Sequence, residues 1–251
     1  MENTSSVKLF GVVSLASVSV IATLVGLSDF RVVNAMIVVH VLLGGLAFLV
    51  GSIAFISTKG KSIHKLTGRI FYIVMTTSVA FSLIVSMQPN HVSPSLFQIG
   101  VLTLYFLIGG NRSLSYKNAN HCLLIDQLLA ITVVLVSVIV MFYSVVLDGV
   151  FFPLRTVFGS IGIVFGVLDL VVFSRPQVAE KNWLILHLSK MVGGYTAAVT
   201  AFFVAQNLLT GYYNWFVPTV FGLSYIGYWL VKLKSKRPMT NRVMKKIKLA
   251  K

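Results

Sequence analysis

The chain has 251 residues, of which 57% are hydrophobic and only 11% charged, with a net charge of +15. A soluble domain is nearer one quarter charged, so this composition excludes an ordinary soluble enzyme and points to a polytopic membrane protein. A single cysteine, Cys122, excludes an internal disulfide and any CxxC redox or zinc motif.

A hydrophobic run of roughly 20 residues spans the hydrocarbon core, and the chain holds about eight such segments on that rule. Segment 1, Leu9 to Leu27, follows only Lys8 and Glu2 as charges and lacks a convincing small-x-small cleavage site. It is expected to be a retained helix rather than a signal peptide. Segment 2, Val32 to Ser57, places His40, Gly44, Ala47, Gly51 and Ala54 on one face. The basic stretch TKGKSIHKLTGR (58–69) follows, with Lys59, Lys61, His64, Lys65 and Arg69. Segment 3 is expected over Ile70 to Met87, and the loop QPNHVSPS carries His91.

Segment 4 starts near Leu96 and runs to Gly110 or beyond, and the next loop carries Arg112, Lys117 and His121. Segment 5, Leu123 to Leu147, has Asp126 in its first turn, and Asp148, Gly149 and Pro153 read as a turn. Segment 6, Thr156 to Phe173, has Asp169 near its end. Segment 7, Trp183 to Gln206, aligns His187, Met191, Gly194, Ala198, Ala201 and Ala205 on one face, with Lys190 one turn from His187. Segment 8 spans Trp215 to Leu230. The expected organisation is a single all-α transmembrane bundle over 1–231 and a basic cytoplasmic tail over 232–251.

Orientation follows from Lys and Arg counts in short loops. With eight spans and a cytoplasmic amino terminus, 18 basic residues fall on the cytoplasmic side, against Arg31 and Arg155 on the other, with Lys190 inside segment 7. Both termini are therefore expected in the cytoplasm, and the location is the cell membrane. Nine of the basic residues lie in 232–251, where anionic lipid is the expected partner. Nucleic acid is not, because no aromatic-interleaved basic groove is present.

This topology gathers His64, Arg69, His121, Asp126, Asp169, His187 and Lys190 toward the cytoplasmic side. His40 belongs to the other half, roughly 12 Å below the outer boundary, while His187 sits about 6 Å above the inner one. A core about 30 Å thick then leaves roughly 12 Å of depth between them, too much for one iron.

The motifs are a histidine leading a small-residue helix (His40, Gly44, Gly45, Gly51), H-x-x-x-G-R (His64, Gly68, Arg69) and H-x-x-x-M-x-G-x-Y-x-A-A-x-T-A-F (His187 to Phe202). They resemble an uncharacterised bacterial polytopic membrane protein family, a predicted membrane protein domain of unknown function. The likeness covers segments 2, 3 and 7. It implies a multi-pass membrane fold and no particular activity. In pattern alone, histidines near helix ends are also similar to b-type cytochrome helix bundles.

Three readings follow. Haem b binding and transmembrane electron transfer needs pairs of axial imidazoles at matching depth, and His40 with His91, or His187 with His64 or His121, are the candidates. A redox partner or a homo-oligomer fits that reading. A small-solute or proton-coupled transporter would use a cytoplasm-facing site of Asp126, Asp169, Lys190 and Tyr195, with Gly193–Gly194 loosening segment 7. A structural or regulatory membrane subunit needs neither. Motifs of soluble enzymes, such as a nucleophile elbow, a P-loop or HExxH, are missing.

Overall fold

The computed structural model describes residues 30–118, 121–146, 149 and 152–235. Segment 1, Asp148 and most of the basic tail lie outside the described residues. Within them the chain is helical: α1 (Phe30–Ile56), α2 (Ser62–Val85), α3 (Pro94–Arg112), a 3-10 turn (Ser113–Lys117), α4 (Leu124–Val146), α5 (Pro153–Phe173), α6 (Pro176–Gln206) and α7 (Tyr213–Ser235). All of these except α3 and the 3-10 turn are long and apolar enough to cross a membrane. Their outward faces carry bare Val, Ile, Leu and Phe, such as Leu42, Leu49, Ile139, Val171 and Phe221. That is the surface of a membrane protein, because water would make such a belt costly.

α3 differs for a physical reason. It is packed against α2, α4, α5 and α6, so its surroundings are protein rather than lipid. It can therefore carry Ser95, Gln98, Thr103, Asn111 and Arg112. Two helices also begin earlier than their apolar cores. α2 starts at Ser62, absorbing Ser62 to Arg69 of the basic stretch, and α6 starts at Pro176. Polar residues extend a helix once it clears the hydrocarbon, and proline is tolerated in a first turn.

The helices alternate in direction. One end of the bundle, here the His64 end, carries the α1–α2 connection, the 3-10 turn and the α5–α6 connection. The opposite, His91 end carries the α2–α3 and α6–α7 connections. Glycines set the closest seams. A Cβ on Gly51 of α1 would lie 2.7 Å from the Tyr195 ring and 2.9 Å from that of Phe71. Ser52 and Tyr195 are hydrogen-bonded at 2.7 Å across the same α1–α6 seam, and Phe48 stacks on Phe202 at 4.6 Å. The small-residue stripe of α1 is thus a packing seam against α2 and α6.

The glycine pair of α6 does not interrupt its helix. α6 runs unbroken through Gly193 and Gly194, which seat Phe106 and Leu107 of α3 at 2.9 and 2.8 Å from a would-be Cβ. Close helix approach, not loosening, is the use made of these residues.

Candidate functional site

The titratable residues expected at the cytoplasmic side do collect at and near the His64 end, but in separate groups, and the third set, the carbonyl-held histidines, also includes His40 of the opposite end. The innermost is Lys190 of α6, 1% exposed, whose ammonium bonds the carboxylate of Asp169 of α5, 4% exposed. The Tyr105 hydroxyl of α3 donates to the same carboxylate at 2.5 Å and lies 3.1 Å from the Phe165 carbonyl. The ammonium also sits 4.9 Å from the Tyr105 ring and 5.3 Å from the Phe173 ring. Gly109 makes room for it: a Cβ there would lie 2.8 Å from Nζ. In a low-dielectric interior such a pair persists only when both charges are matched and the remaining donors are satisfied.

The second group lies at the bundle surface. Arg112 grips Asp126 through Nε and Nη2 at 2.9 and 3.0 Å, and Nη2 also reaches the Cys122 carbonyl at 3.1 Å. His121 Nε2 is 3.2 Å from both the guanidinium and the carboxylate. Tyr116 packs on His121 and Phe173. Burial, and then the Asp126 carboxylate, push its hydroxyl above the ordinary phenol range. Asp126 therefore belongs to Arg112, and Lys190 to Asp169. Tyr195 joins neither group, since its hydroxyl is held by Ser52.

The third group is the histidines, and here sequence reasoning missed the main feature. His187 Nδ1 lies 2.8 Å from the Gly110 carbonyl, His64 Nδ1 3.0 Å from the Ala54 carbonyl, and His40 Nδ1 2.9 Å from the Ser78 carbonyl. A carbonyl only accepts, so each Nδ1 carries the proton. Nε2 of each ring has no hydrogen-bond partner among the described residues. A backbone carbonyl on one ring nitrogen is the device that orients a metal-binding histidine and raises its basicity. Each carbonyl lies on another part of the chain, so no local pattern announces the arrangement.

His64 and His187 lie within electrostatic range of each other at one end. His40 is at the other. Ala54, which holds His64, is 14 residues further along α1, about 21 Å of helix rise. Separate ligands for the two ends remain the geometric requirement.

Two cavities meet at His40. The larger, about 280 Å³, is bounded by α2, α3, α5, α6 and α7; its walls include Phe106, Phe165, Gly193, Thr196 and Trp215, and they are almost wholly apolar. The smaller, about 150 Å³, is lined by His40 and His91 together. Both include Ser82 and Leu96. His91 reaches this place because its loop folds back: Ser93 N–H donates to the Ser86 carbonyl at 3.0 Å and His91 N–H to the Gln88 carbonyl at 2.9 Å. The upper half of the α6 small-residue stripe, Ala201 and Ala205, faces the larger cavity. No cluster of three or more His, Cys, Asp or Glu side chains suited to a bare metal ion occurs among the described residues. No family model, curated protein or solved structure matches this chain.

Proposed function

We propose that this chain is a multi-pass protein of the cell membrane that binds haem b and passes electrons. His40 and His91 would hold the haem iron at one end. The observation that carries the reading is that these two histidines line one cavity, and that His40 is anchored to the Ser78 carbonyl through Nδ1, which turns Nε2 away from that carbonyl. The residues present fit the group. A haem needs two imidazole ligands, apolar walls and a cation for its propionates. The larger cavity supplies the walls. Arg155, bonded to Ser95 at 3.2 Å at the same end of the bundle, would be the cation for the propionates.

When bound, the haem iron would supply one-electron chemistry. The chain's own contribution is to fix the His40 tautomer through the Ser78 carbonyl, hold His91 on its folded loop, and keep water from the apolar walls. His64 and His187, with the same carbonyl-held tautomer, provide a second candidate pair at the opposite end. Two such sites would place electron carriers on both sides of the bilayer. The reading also keeps the cytoplasmic placement of both termini across eight spans and the contact of the basic tail with anionic lipid.

The test is a reduced-minus-oxidised absorbance spectrum of protein purified from haem-supplied cells. Soret and α bands are expected from the wild type, lost or strongly reduced in His40→Ala and altered in His91→Ala. A wild-type protein with no such bands overturns the proposal.

A further inference from the structure

Buried polar groups run through the bundle along the seam of α3, α4 and α5, and the haem reading uses none of those in its middle. On α3 the seam positions are Ser95, Gln98, Leu102, Tyr105, Gly109 and Arg112. On α4 they are Asp126, Ala130, Val133, Ser137, Val140 and Ser144, all buried. On α5 they are Arg155, Gly159, Gly162, Gly166, Asp169 and Phe173, likewise buried. Each series advances by alternating steps of three and four, which keeps one helix face on the seam.

The centre of this seam is chemically incomplete. Gln98 is 1% exposed, yet neither its Oε1 nor its Nε2 has a hydrogen-bond partner among the described residues. Ser137, also 1% exposed, has an unpartnered Oγ. Both face glycines of α5. A Cβ on Gly159 would stand 2.8 Å from Gln98 Nε2, and one on Gly162 2.3 Å from Ser137 Oγ. Glycine at both positions lets these unbonded polar atoms pack directly against the α5 backbone, with Met141 beside Gln98 at Gly159. Buried amides and hydroxyls are nearly always satisfied, by protein or by ordered water. Next along the seam, the Tyr105 hydroxyl sits at the Phe165 carbonyl. Only three residues of α5, about 4.5 Å of rise, separate that level from Gly162.

We infer that Gln98 and Ser137 hold water between α3, α4 and α5, and that this water joins Tyr105, Asp169 and Lys190 in a proton path through the bundle. Protons enter from the Arg155–Ser95 end. A proton from the seam water passes to the Tyr105 oxygen as Tyr105 gives its own proton to the Asp169 carboxylate. Lys190 releases one proton toward the His64 end, where Tyr116, His121 and the Arg112–Asp126 pair stand. Transfer from the protonated Asp169 to the neutral Lys190 amine then restores the ion pair. One proton has entered, one has left, and no electron has moved. The proposal does not rest on haem binding.

The experiment reconstitutes the full chain into phosphatidylethanolamine–phosphatidylglycerol liposomes with pyranine inside. A potassium gradient with valinomycin sets the potential, and internal acidification is recorded. Wild-type protein is expected to acidify the lumen well above protein-free liposomes. Gln98→Leu and Ser137→Ala, which remove the water's partners, are expected to slow this by about tenfold. If Gln98→Leu does not fold, the single-oxygen change Ser137→Ala decides. Wild-type flux equal to that of empty liposomes, or flux unchanged in Ser137→Ala, overturns the path.

Discussion

Lys190 on α6 and Asp169 on α5 form an ion pair in the interior of the bundle, shared by the Tyr105 hydroxyl of α3. Three helices are thereby tied at one point. Removing one charge leaves the other buried and unmatched, so Lys190→Met or Asp169→Asn is expected to destabilise the folded protein by about 3–5 kcal/mol. The double variant is expected to lose much less than the sum, because no bare charge remains. Thermal unfolding in detergent, run as a double-mutant cycle, measures this. Additive losses would mean the two groups are not coupled.

The α1–α6 seam gives a prediction with its own control. Gly51→Ala puts a methyl group within 2.7 Å of Tyr195 and 2.9 Å of Phe71, whereas a Cβ on Gly45, also in α1, meets nothing within 4 Å. Overpacking of this kind costs about 1–3 kcal/mol. Gly51→Ala should lower the unfolding midpoint, and Gly45→Ala should leave it unchanged or raise it slightly. Equal midpoints for the two variants would count against the seam.

At the His64 end, the Arg112 side chain is 22% exposed while that of Asp126 is fully buried. Asp126→Asn keeps the shape but removes the charge that Arg112 and His121 share. A loss of about 1–3 kcal/mol is expected. It should be smaller than that for Asp169→Asn, because water can reach Arg112. A ranking in the opposite order in urea or thermal melts would show that burial does not set the cost.

Ser78 separates the two ways in which His40 is held. Its carbonyl is a backbone group and survives substitution, while its hydroxyl donates to the His40 carbonyl at 2.9 Å and also lies 2.9 Å from His40 Nδ1. Ser78→Ala should therefore leave Nδ1 on the carbonyl and, on the haem proposal, preserve the absorbance bands, at a stability cost of about 1 kcal/mol. Loss of the spectrum in Ser78→Ala, with folding intact, would assign the hydroxyl rather than the carbonyl as the group that orients His40.

The membrane-spanning helices, their apolar character and the gathering of polar residues toward one end were legible in the sequence. Apolar run length and helical period are local properties, and alternation of direction follows from connecting the runs. The separation of His40 from His187 was legible for the same reason. Partner choice was not. Asp126 and Asp169 lie at similar depth, and only the rotation of each helix and the order of its neighbours decided that Asp169 meets Lys190 while Asp126 meets Arg112. The same applies to the carbonyl behind each histidine, to His91 folding over the cavity of His40, and to the unpartnered Gln98 and Ser137 in the α3–α4–α5 seam. These depend on packing between residues far apart in the chain, and a one-dimensional pattern carries the faces of helices but not which faces meet.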